Sequence, residues 1–185
     1  MSLGWHDGAV ERIAVIGTSG SGKTTLARRL AAKLDLPHLE LDAIYHQPNW
    51  EPLPDDEFQR QVAEFCAQDR WVTCGKYRQV REILFEKADT IVCLDHNRVR
   101  QTARVVKRTA VRASRHEELW NGNLETWRGL WPDDGEKSIV RWTWDNVPRA
   151  RMLFAELEAR HWDSTQVVRL RGWPAVGRFI ETAAR

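Results

Sequence analysis

A chain of 185 residues is long enough for one domain with a full hydrophobic core, and a formal charge of +2 excludes a polyelectrolyte that binds nucleic acid over its whole surface. The three cysteines, Cys66, Cys74 and Cys93, are odd in number and lack C-x-x-C spacing, which argues against a disulfide framework or a zinc site and for reduced thiols. No apolar run approaches membrane-spanning length and no secretion signal is apparent, so the expectation is a cytoplasmic protein of one domain over 1–185.

Arg12 to Ile16 is a short apolar run of strand character, and it leads directly into GTSGSGKT, Gly17 to Thr24. Behind that motif Leu26, Leu30 and Leu34 recur every four residues, with Ala27 and Ala31 beside them, as in a helix. Spacing G-x-x-x-x-G-K-[ST] between a strand and a helix is a phosphate-binding loop. Its glycines allow successive backbone N–H groups to turn inward around an anion at the positive end of a helix. Gly17, Thr18, Ser19, Gly20, Ser21, Gly22, Lys23, Thr24 and Thr25 are thus expected to hold ATP or another nucleoside triphosphate. Lys23 reaches the β- and γ-phosphates, and the Thr24 hydroxyl ligates Mg²⁺.

Asp35-Leu36-Pro37 breaks the first helix, and His38 to Asp42 alternates polar and apolar residues as a second strand. Ala43 to Pro54, with three prolines, reads as a loop; Asp55-Asp56 read as the cap of a helix carrying Phe58, Val62 and Phe65. Trp71 to Cys74 is a third strand stopped by Gly75, Lys76 to Glu86 is partly helical, and Ala88 to Leu94 is the fourth strand, ended by Asp95. Arg98 to Arg115 reads as a long basic helix with Val99, Ala103, Val106 and Ala110 on one side. Trp120, Leu124, Trp127 and Trp131 continue a helical spacing, Pro132 to Gly135 is a turn, and Ser138 to Asp145 reads as helix. Pro148 suits the first turn of a further helix, Gln166 to Leu170 is the last strand, and Pro174 opens the closing helix.

Strands alternating with helices imply a parallel sheet covered on both faces, an α/β three-layer fold. Ligands of such sheets bind beyond the carboxyl ends of the strands, which puts the phosphate loop, Asp42, Gly75 and Asp95 on one rim. Asp95 follows four apolar residues, the pattern of a carboxylate that orients Mg²⁺, and it also fits a turn former. Asp42 is expected to hold or deprotonate an acceptor hydroxyl, the other reading being a turn cap. Seven basic residues from Arg98 to Arg115 are free of any acid, and Arg104, Arg108 and Arg112 share a face. Either this face closes on a transferring phosphoryl group, with Arg104 and Arg108 catalytic, or it docks on a nucleic-acid backbone. Tyr77 and Arg78 stand where an acceptor would be gripped, and His46 and Trp50 lie in the loop after Asp42.

LELDAIYHQPNW (Leu39 to Trp50), WVTCGKY (Trp71 to Tyr77) and ADTIVCLD (Ala88 to Asp95) together resemble the adenylate-kinase-related P-loop proteins called DNA topology modulation proteins. The resemblance spans Ile13 to Arg115. It implies a nucleoside-monophosphate-kinase-like fold with strand order 2-3-1-4-5 and a helical lid, here about 98–145. It also implies that Arg104 and Arg108 match a lid R-x-x-x-R, and that Arg171 to Pro174 stand where relatives hold the adenine ring. Cys74 replaces an Asp of that pattern and Lys76 an Asn; a neutral thiol is a poor ligand for a hard cation. The function expected is a Mg·ATP-dependent phosphotransferase acting on a small molecule. The rival is an NTP-gated regulatory protein whose basic helix engages nucleic acid.

Overall fold

The computed structural model describes residues 10–131 and 138–183. Five strands, β1 (Arg12–Ile16), β2 (His38–Glu40), β3 (Trp71–Cys74), β4 (Thr90–Asp95) and β5 (Gln166–Arg171), form one sheet in the order β2-β3-β1-β4-β5. Every pairing is parallel, with Val15 opposite Cys74 and Val92, and Cys93 opposite Arg169. The order and the parallel sense are those of the P-loop kinase fold expected from the sequence. Strands buried on both faces read as continuous apolar runs, and β1 and β4 do so.

Helices α1 (Lys23–Leu34) and α7 (Trp173–Thr182) cover one face, where Leu26, Leu30, Val176 and Phe179 pack on Ile13, Val15, Val92 and Leu170. On the other face α3 (Asp55–Phe65), α4 (Arg81–Lys87) and α6 (Ile139–Ala159) contribute Phe58, Val62, Leu84, Phe154 and Leu157. These meet Ala14, Ile16, Trp71, Ile91 and Cys93 from the sheet. Alternate side chains of one strand thus feed two separate cores. Asp55 and Asp56 sit inside the first turn of α3, where their charges suit the helix dipole, and Pro54 rather than an aspartate precedes it.

Three further readings are corrected. The second strand stops at Glu40, and Asp42 lies in a short helix, α2 (Leu41–Tyr45), because Leu41 turns in to cover Gly75. Trp120 to Trp131 is no continuous helix but two 3-10 turns, Trp120–Gly122 and Trp127–Leu130. Asn121 (φ 56) and Gly122 (φ 78) adopt left-handed backbone there, which interrupts the spacing, and Trp127 and Trp131 are exposed. Pro148 lies inside α6 instead of starting a helix. It has no N–H for the Trp144 carbonyl one turn earlier; Arg98 Nε donates to that carbonyl instead, at 2.8 Å. The turn read at Pro132 to Gly135 falls outside the described residues.

The basic helix read over Arg98 to Arg115 is α5 (Arg98–Arg115), capped by Asn97, whose side chain accepts from the Val99 and Arg100 N–H groups. Its buried side is Gln101, Val105, Thr109 and Ala113, while Val99 and Val106 are exposed. The inward face is partly polar because Gln101 reaches the phosphate loop while Thr109 meets Gly129 of the turn Trp127–Leu130.

Candidate active site

The loop between β1 and α1 opens at the carboxyl edge of the central strand. Gly20 (φ 74) and Gly22 (φ 91) adopt left-handed backbone, and a Cβ on Gly20 would lie 2.6 Å from Val105 Cγ2 and 2.9 Å from the Gln101 carbonyl. Only glycine allows both that turn and so close an approach of α5. Gln101 Nε2 donates to the Thr18 hydroxyl and to the Ser19 carbonyl, the latter at 2.9 Å, and so pins the loop to α5. Lys23 Nζ donates to the Thr18 carbonyl at 3.1 Å, folded over the loop as a phosphate ligand would be. Burial pulls its pKa down from the ordinary lysine value, and the nearby Asp42 carboxylate opposes that pull. The Ser21 hydroxyl and Arg108 Nε are buried without protein partners, so this cradle has unused donors facing it.

His96, just past β4, closes the loop from behind. Its contact with the Ser21 carbonyl, 3.0 Å, requires the proton on Nε2, and Nδ1 is buried without a partner. Desolvation accordingly keeps the ring neutral, its pKa lowered. Trp173 stacks on this imidazole, with ring centroids 4.4 Å apart, and presents its edge to Gly22. Arg104 lies 4.0 Å over the same indole. Arg108 Nη2 reaches the Ser19 hydroxyl at 3.2 Å, and Glu125 holds both Arg108 (3.5 Å) and Arg112 (2.8 Å). Three arginines of the basic helix therefore face the loop, an indole or a carboxylate. Arg115 is exposed at the far end.

On the opposite side Tyr77 donates to Asp42 Oδ1 at 2.5 Å. His46 Nε2 donates to the same phenol oxygen at 3.3 Å, so the chain of protons runs His46, Tyr77, Asp42. Burial first, then the Asp42 charge, raises the Tyr77 pKa and keeps the phenol a donor. Asp42 Oδ2 accepts no protein hydrogen bond among the described residues. Trp50 and Trp120 wall this corner, edge-on and stacked against His46 at 5.2 and 5.8 Å. The Asn121 and Asn123 side chains fasten the two loops by donating to the Ala43, His46 and Gln47 carbonyls.

Three expected residues stand elsewhere than the sequence suggests. Asp95 is not a free carboxylate: Oδ1 accepts from Arg151 at 2.8 Å and Oδ2 from Arg169 at 2.8 and 3.0 Å. Burial alone would raise the Asp95 pKa, yet these guanidinium bonds outweigh it and hold it low. Arg78 is exposed on the 3-10 turn Arg78–Val80 and makes no ion pair among the described residues. Thr25 is likewise exposed, on the outer side of α1.

Sequence reasoning missed Glu40. It accepts from the Thr24 hydroxyl at 2.6 Å and from Arg28 at 3.2 Å. The signal was the E-x-D spacing of Glu40 and Asp42, which a strand ending between them turns toward one rim. Hydroxyl and carboxylate together are a hard-oxygen pair suited to Mg²⁺, which keeps its other places for phosphate oxygens and water. Among the described residues no cluster of three or more His, Cys, Asp or Glu side chains that could hold a metal ion occurs. Cys74, below Thr24 at 3.8 Å, is kept a thiol: burial raises its pKa to about 12.

Sheet order, loop and flanking helices define a P-loop kinase fold. Solved kinases share it across nearly the whole chain: an unliganded sugar kinase from Janibacter sp. HTCC2649 has TM-score 0.52 and 21% identity, covering 95% of this chain and 99% of that one. Shikimate kinase from Acinetobacter baumannii, in complex with shikimate, has TM-score 0.55 and 16% identity, covering 93% and 89%. The AAA domain family model matches residues 13–120, more than half of the chain, and the chain belongs to that family. Over 54 residues it is 40% identical to cytidylate kinase of Nitratidesulfovibrio vulgaris (strain DP4), 29% of this chain and 23% of that protein. Over 46 residues it is 44% identical to shikimate kinase of Enterococcus faecalis (strain ATCC 700802 / V583), 25% and 27% of the two lengths. The chain thus matches about a quarter of the length of these curated relatives.

Proposed function

We propose that this protein is an ATP-dependent kinase of a small hydroxylated acceptor, using Mg²⁺. The observation that carries the reading is the Asp42 carboxylate, held by Tyr77 through one oxygen only, beside the buried ammonium of Lys23. Gly17 to Thr24 form the triphosphate cradle, with Lys23 on the β- and γ-phosphates. Thr24 and Glu40, rather than Asp95, hold Mg²⁺, which when bound offsets charge on the phosphate oxygens. The acceptor hydroxyl lies against Asp42 Oδ2. Its oxygen bonds to the γ-phosphorus as the bond to the bridging oxygen breaks; Asp42 takes the hydroxyl proton and ADP leaves.

Arg108, at the loop, stabilises the charge spread over the transferring group, and Arg104 closes beside it. The segment 98–145 acts as the lid that keeps water from ATP. The stacking of Arg104 on Trp173 and the pairing of Arg108 and Arg112 with Glu125 favour this role over a nucleic-acid interface. A cytoplasmic location accords with the reading, and no helix among the described residues is long and apolar enough to cross a membrane. The test is a screen of nucleoside monophosphates, sugars and hydroxy acids for acceptor-stimulated ADP release. Stimulation by one class is expected; ADP release that no acceptor raises would contradict the proposal.

A further inference from the structure

Lys76 is a cation that the phosphate loop does not account for. It follows Gly75 at the end of β3, where the Gly75 N–H donates to the Val15 carbonyl at 3.2 Å and sets this backbone beside the start of the loop. It directly precedes Tyr77, the donor to Asp42. Its side chain is largely covered and makes no ion pair or hydrogen bond to any described residue. Its charged neighbours are Lys23, Arg81 at the start of α4 and Arg149 on α6. Neither Arg81, which is half-buried, nor Arg149, which is exposed, pairs with a carboxylate among the described residues. The Val80 and Ala150 side chains beside these two arginines share one core, which holds α4 and α6 together around this corner.

Burial, reinforced by the Lys23, Arg81 and Arg149 charges, brings the Lys76 pKa down to about 8. Like charges without a counterion repel one another, and the arrangement is relieved by an anion bound between them. The triphosphate already has Lys23 and the loop amides. The corner by Tyr77 and Asp42 is where the acceptor enters.

We propose that Lys76 selects an acceptor bearing its own carboxylate or phosphate group, bound by the Lys76 ammonium with Arg81 and Arg149 behind it, while the acceptor hydroxyl lies on Asp42. This rests on the kinase reading above and deepens it. The acceptor is a hydroxy acid or a phosphate monoester, not a neutral polyol.

The experiment pairs each neutral compound with its anionic counterpart: a sugar with its sugar acid and its monophosphate, a nucleoside with its monophosphate. ADP release is measured with wild type, Lys76→Gln and Lys76→Arg. One anionic arm is expected to be preferred, to lose about tenfold or more in kcat/KM in Lys76→Gln and to be restored in Lys76→Arg, with the KM for ATP within about twofold of wild type. Preference for the neutral partner, or a loss falling on ATP rather than on the acceptor, overturns the proposal.

A second readout does not need turnover. Acetic anhydride labelling near pH 8 is expected to modify Lys76 readily, and the preferred anion to protect it while the neutral partner does not. Equal labelling with and without the anions overturns the Lys76 assignment. Protection without acceptor-stimulated ADP release supports Lys76 and defeats only the kinase reading.

Discussion

The Asp42 charge lies near enough to oppose the lowering of the Lys23 pKa by burial, and the proposed transfer brings the γ-phosphate and the acceptor hydroxyl to these two residues. Replacing Lys23 by alanine removes a charged donor to the triphosphate. We expect ATP binding, followed by calorimetry, to weaken by about tenfold to a hundredfold, with the circular dichroism spectrum unchanged. Unaltered affinity would remove Lys23 from the site. Arg108 stands differently: Glu125 and Ser19 already hold it in the ground state. Arg108→Ala is expected to lower kcat more than it raises the KM for ATP; equal changes in both would argue against a transition-state contact.

Residues also differ in how well the sequence announces them. The loop is local, so its spacing alone reveals Gly20, Gly22, Lys23 and Thr24. Glu40 and Lys76 are not local, because their meaning depends on where β2 and β3 end against β1. Asp95 has the right pattern, but its partners Arg151 and Arg169 arrive from far along the chain.

Among the elements, α5 and α6 are tied through Arg98. Arg98 donates to the carbonyl freed by Pro148 and stacks 3.9 Å over the Trp144 ring, so it mends a helix it does not belong to. Arg98→Ala is expected to destabilise the protein by about 1 kcal/mol in urea unfolding. Pro148→Ala restores an N–H to the same carbonyl, and in that background the Arg98 change is expected to fall to roughly half. Additive effects would mean that the two do not share the Trp144 carbonyl. Strands and long helices were legible because periodicity and runs of Val and Ile mark them. The inward face of α5 was not, since Gln101 turns toward the polar phosphate loop and Thr109 toward Gly129, which leaves Val99 in solvent. Nor were the 3-10 turns of Trp120–Gly122 and Trp127–Leu130, whose aromatic spacing imitates a helix that Asn121 and Gly122 interrupt.

For the whole molecule, three histidines couple stability to pH with the same sign. His38, His46 and His96 all have pKa values lowered from 6.5, each chiefly by burial. Above that value folded and unfolded chains hold equally few of these protons, and stability is complete. As pH falls below about 6.5 the unfolded chain takes up protons that the folded one refuses, and stability declines. Thermal unfolding at pH 7.5 and 5.5 is expected to show a lower Tm at the lower pH, with His96→Gln losing part of the difference. A higher Tm at pH 5.5 would reverse the sign.

The account as a whole requires that one carboxylate serve the acceptor and not the nucleotide. Asp42→Asn keeps the shape and a partner for Tyr77 but abolishes the base. The decisive measurement is acceptor-stimulated ADP release by this variant, set beside its affinity for Mg·ATP. We expect turnover to fall about a hundredfold or more while ATP affinity stays within about twofold of wild type. Undiminished turnover, or a loss of ATP binding as large as the loss of rate, would contradict the account.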